Sequence, residues 1–185
     1  MARRRRYKQE IRPDMIKRIV LYGILLLLLS AMQCSFFARL KFLPATPDLI
    51  LCAVLGILLL DSDSAAFVSA VAGGLMLDAV GGLGISWSPA FYLIVAAVMS
   101  LLAKKVMPGL PSFLVLLLPS LLLRAGCTAL GAWLGKHAMT ASETVKQILI
   151  PEAVITFVCG FMVYALVRLF RLPIREGRSH SRRSL

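Results

Sequence analysis

The sequence predicts an all-α polytopic membrane protein, a bundle of six transmembrane helices. Three observations lead there. Hydrophobic residues make up 59% of the 185, with a mean hydropathy of +0.83, where soluble domains run at roughly 45–50% apolar. Apolar runs of bilayer-crossing length recur along the chain, about 20 residues being needed for a core of about 30 Å. The charge is also segregated: 14 of the 21 Lys and Arg lie at the two ends. A formal net charge of +12 would otherwise suggest nucleic acid. Basic residues that flank apolar spans report membrane orientation instead, so no nucleic-acid partner is expected.

Six spans are expected, at 19–37, 43–60, 65–83, 88–103, 113–134 and 148–170. Arg3 to Arg6 precede the first, but that run is longer than a signal-peptide core and no small-x-small cleavage site closes it. It is expected to remain as a transmembrane helix. In the second, Pro44 and Pro47 sit where a helix begins, with Thr46 as the expected N-cap and Pro47 in the first turn. The third carries Ala66, Ala70, Gly74 and Asp78 every four residues, a small-residue stripe that lets helices approach closely in lipid. Gly81, Gly82 and Gly84 after it are expected to form a tight turn. Gly131 and Gly135 give the fifth span a second small-residue face.

Eight basic residues lie in the N-terminal segment and six at the C-terminal end, so both ends are expected on the cytoplasmic side, which six crossings satisfy. Residues 1–18 and 171–185 are expected to be basic cytoplasmic tails without structure of their own, in contact with membrane lipids. Residues 19–170 form the transmembrane domain. Loops of a dozen residues or fewer leave no space for a catalytic domain outside the membrane.

Chemistry would have to lie within the spans, where ionisable residues are costly and mark function. Asp48, Asp78, Arg124 and Glu152 are the candidates. At 1.5 Å per helical residue, Asp78, Asp48 and Arg124 fall about 21, 20 and 17 Å from the cytoplasmic ends of their spans. They are therefore expected in one layer of the outer half, with Arg124 facing Asp78 or Asp48 and Glu152 at the upper edge. Wet, interfacial positions for Asp48 and Glu152, with Arg124 snorkelling, are the alternative. The sequence holds no GxSxG with a partner His, no HExxH and no GxGD run. Cys34, Cys52, Cys127 and Cys159 form no CxxC pair, and His137 and His180 stand alone. No enzyme activity, cofactor or metal is expected.

Residues 44–84 carry a pattern: Pro44, then Pro47-Asp48-Leu49-Ile50-Leu51, a short apolar helix, Gly73-Gly74-Leu75-Met76-Leu77-Asp78, and Leu83-Gly84. This resembles the rod shape-determining protein MreD family, and the size, basic N-terminus and multiple spans agree with it. The resemblance implies a noncatalytic component of the bacterial cell-wall elongation machinery (the elongasome), a scaffold in the cytoplasmic membrane. It would bind the single-span protein MreC and help control the peptidoglycan synthase and transpeptidase of cell-shape maintenance. It also implies a fold similar to the substrate-binding subunits of energy-coupling-factor transporters. Pro47, Asp48, Gly74, Asp78 and Gly84 would then be structural or partner-contacting, alongside Arg124. The alternative is a substrate-capturing subunit of such a transporter.

Overall fold

The computed structural model describes residues 13–40, 46–81, 87–107, 109–134 and 150–181, with backbone alone for 13–17, 38, 128–134 and 171–181. The described residues form six α-helices and no strand: α1 (Pro13–Ala31), α2 (Leu49–Leu60), α3 (Asp63–Gly81), α4 (Ser88–Ala103), α5 (Leu110–Leu134) and α6 (Ile150–Ser181). Four stretches are long and apolar enough to cross a membrane: Arg18–Phe36, Asp63–Gly81, Leu110–Cys127 and Ile150–Phe170. The chain is a multi-pass membrane protein by these helices. Gly84, Gly135, His137 and the basic residues 3–12 lie outside the described residues.

The short α2 is the centre. Its twelve residues are apolar throughout except for Gly56, and all but Leu59 are buried, as expected of a helix with no polar face. It touches each of the other five helices, α6 and α3 most extensively. At about 18 Å it is shorter than a bilayer core. Around it pack Leu25, Leu26 and Leu29 of α1, Tyr92, Val95 and Met99 of α4, Phe113, Leu116 and Leu117 of α5, and Val163 and Val167 of α6. Outward faces of the surrounding helices carry exposed Ile24, Leu28, Leu101, Leu122 and Met162, as lipid contact requires.

The element boundaries correct the sequence in four places. Helix α2 starts at Leu49, not within 43–46, and its N-cap is Asp48, whose side chain accepts from the Leu51 amide. Thr46 precedes a proline, which drives it out of the helical region. Helix α1 begins within the basic N-terminal segment and passes into a π turn (Met32–Phe36) and a 3-10 turn (Phe37–Arg39). Helix α6 runs on to Ser181, through residues expected to lack structure. Helix α3 starts at Asp63, where the Ser62 hydroxyl accepts from the Ala65 amide.

The small-residue stripe does what its spacing predicts. Ala66, Ala70, Gly74 and Asp78 are all buried. A Cβ on Gly74 would lie 2.5 Å from Pro89 backbone atoms at the start of α4, and one on Gly73 would meet Ile50 at 2.9 Å. Only hydrogen fits between α3 and α4 at Gly74. At the opposite end of the bundle, Arg18 pairs with Asp61 at 2.7 Å and the Tyr22 hydroxyl donates to the same carboxylate at 3.2 Å, tying α1 to the end of α2.

Gly74→Ala is therefore expected to destabilise the detergent-solubilised protein by about 1–3 kcal/mol, as overpacking does. Gly23, with open space where its Cβ would stand, is the control: Gly23→Ala is expected to be neutral or to gain about 0.5–1 kcal/mol from helix propensity. Melting temperatures of the two variants check this pair.

Candidate functional site

The N-terminus of α2 lies inside the bundle, and its first amides must find acceptors there, because buried unpaired donors cost as much as a lost hydrogen bond. Three elements supply them. The Asp48 amide donates to Thr156 Oγ1 of α6 at 3.0 Å. The Leu49 amide donates to Gln33 Oε1 at 3.0 Å, from the π turn that follows α1. The Leu51 amide donates to Asp48 Oδ1, also at 3.0 Å. Cys52, one turn in, donates its thiol to the Thr156 carbonyl at 3.7 Å.

Asp48 is the hub, with none of its surface exposed. Its Oδ1 also accepts from the Tyr92 hydroxyl of α4 at 2.8 Å. Its Oδ2 lies 3.0 Å from Arg124 Nη1 of α5, without the alignment of a hydrogen bond, so that contact is Coulombic. Arg124 Nε in turn donates to Glu152 Oε1 of α6 at 2.9 Å. The guanidinium also stands 5.5 Å from the centre of the Phe91 ring, within cation–π range. Five elements thus converge: the turn after α1, and helices α2, α4, α5 and α6. Two carboxylates flank one guanidinium, whose side chain keeps 28% exposure against 12% for Glu152. The cluster is sealed at Asp48 and open at Arg124.

The expected polar layer is present in part. Asp48, Arg124 and Glu152 meet, and the interfacial alternative for Asp48 fails because the residue is fully buried. Asp78 does not join them. It is 4% exposed, and among the described residues neither carboxylate oxygen has a hydrogen-bond partner. A similar count of residues along two helices does not by itself bring their side chains together. Pro47 is buried beside Asp48, and Gly74 forms the α3–α4 contact. Gly84 lies outside the described residues.

Sequence reading missed Gln33, Tyr92 and Thr156. Each left a faint signal. Thr156 stands four residues after Glu152 and so shares its helix face, and Tyr92 interrupts an aliphatic helix. Gln33 is the one amide side chain of the first apolar run. Among the described residues no three His, Cys, Asp or Glu side chains converge as a metal site, and the four cysteines are unbridged. No protein-family model, curated protein or solved structure matches the chain.

Removing Arg124 strands Asp48 and Glu152, so Arg124→Met is expected to cost about 3–5 kcal/mol, the range for breaking a buried pair from one side. Adding Asp48→Asn, which keeps an acceptor for the Leu51 amide, removes the stranded charge. The double variant is expected to melt above Arg124→Met alone. Thermal unfolding of the set gives the coupling directly.

Proposed function

We propose that the chain is a noncatalytic membrane component of the bacterial cell-elongation machinery. In this reading it binds an MreC-like single-span protein and helps control the peptidoglycan synthase and transpeptidase that build rod shape. It sits in the cytoplasmic membrane with both termini inside and crosses six times, α2 and α4 included, in a fold similar to energy-coupling-factor substrate-binding subunits.

The observation that supports this reading is how the motif residues are used. Pro47, Asp48, Gly74 and Asp78 are buried, and two of them join helices: Asp48 at the hub and Gly74 at the close α3–α4 approach. Such a motif serves assembly of the bundle. A scaffold needs a rigid body with outward faces for partner helices, and close packing over small residues supplies rigidity in lipid.

The test is affinity purification of the tagged protein from gently solubilised native membranes, with co-purifying proteins identified by mass spectrometry. MreC and the elongation synthase are expected. Recovery of a transmembrane coupling protein with ATPase subunits would overturn the reading in favour of a transporter subunit. In a rod-shaped host that depends on the protein, Arg124→Met is expected to give wide or round cells, checked by microscopy at matched expression.

A further inference from the structure

Two aspartates in this chain receive opposite treatment. Asp48 takes the Leu51 amide, the Tyr92 hydroxyl and the Arg124 guanidinium. Asp78, buried almost as deeply, takes no donor on either oxygen. An unpaired ionised carboxylate away from water costs several kcal/mol even after relaxation, and a polar group buried without a partner demands an explanation. Among the described residues, the Arg124 guanidinium is engaged by Asp48 and Glu152. What Asp78 lacks among the described residues is a hydrogen-bond donor, and a cationic side chain supplies the strongest one.

The surface beside it is open. Leu75 on the same helix is 51% exposed, and the last turn, with Ala79, Val80 and Gly81, is exposed as well. Val80 is the one side chain of that turn larger than a methyl group. A long basic side chain, whose apolar stem suits lipid and whose head seeks a carboxylate, has a short path over this turn.

We propose that Asp78 is a docking residue that receives a Lys or Arg side chain from the membrane-embedded segment of a partner protein. The proposal deepens the scaffold reading and rests on it, the partner being the single-span protein. The unpaired carboxyl group is held for the complex at the expense of the free chain, the usual exchange of stability for function. Pairing in a water-poor layer gives the contact both strength and register.

The test separates a residue kept for a partner from one kept for the fold. Wild type and Asp78→Asn are compared as full chains in two measurements: melting temperature in detergent, and recovery of the single-span partner from native membranes. Each Lys or Arg in or bordering the partner's membrane segment is also changed to Gln. Asp78→Asn is expected to melt at or above the wild-type temperature and to recover the partner about tenfold less well, the factor for 1.4 kcal/mol. One partner substitution is expected to reproduce that loss with wild type and to add nothing to Asp78→Asn. Unchanged recovery overturns the docking role and leaves the scaffold reading standing. A melting temperature several degrees lower also overturns it, since Asp78 then serves this chain's own packing. A loss that no partner substitution shares does so too. If wild type recovers no single-span partner, the scaffold reading falls first and the docking role with it.

Discussion

A helix that starts inside a membrane bundle has no water to satisfy its first amides. That constraint organises this protein. Helix α2 is apolar all round and surrounded by the other five helices, so its N-terminus opens into the interior. Asp48 caps it directly, and Thr156 and Gln33 take the two amides that precede the cap's own reach. Bringing in a carboxylate to cap the helix creates a second demand, for a counter-charge. Arg124 meets it and is itself held by Glu152 and Phe91. The polar cluster is the consequence of one buried helix end, followed outward until the charge reaches the surface at Arg124.

Packing follows a different rule on the far side of α2. Lipid offers little hydrophobic drive between helices, so close contact depends on small residues and dispersion. Gly74 gives the α3–α4 seam its spacing against Pro89, and Gly56 and Gly160 let α6 approach, Gly56 against Val167 and Gly160 against Leu117 and Cys52. Polar chemistry fixes one end of α2 and steric fit fixes its length. The Arg18–Asp61–Tyr22 contact ties the opposite end to α1. Helix α2 is thus held at both ends and packed along its length.

The helices themselves were legible in the sequence because their signal is local. Runs such as 148–170 contain enough apolar residues to declare a span wherever they occur, and the basic ends stand out for the same reason. The small stripe of α3 was legible as a close-packing face, because small residues at four-residue spacing let helices approach; that the neighbour is α4 of the same chain came from the structure. The helix ends were less so. Thr46 and Asp48 are both good caps, and only the proline between them, with the geometry of the Leu51 amide, decides for Asp48. The polar tails continued helices that local composition would have ended.

The sequence by itself determined that the protein is helical and membrane-embedded, and it singled out Asp48 and Arg124, since charges in apolar runs must have a reason wherever the chain goes. The tertiary structure alone decided which of them meet. Depth along a helix can be counted from sequence, but azimuth between helices depends on how each face packs. Asp48 meets α4, α5 and α6, while Asp78, buried as well, makes no hydrogen bond with that cluster. Gln33, Tyr92 and Thr156 joined the cluster by the same route: the signal each carries in its own segment is faint, and each gains its place from the group that packing sets opposite it.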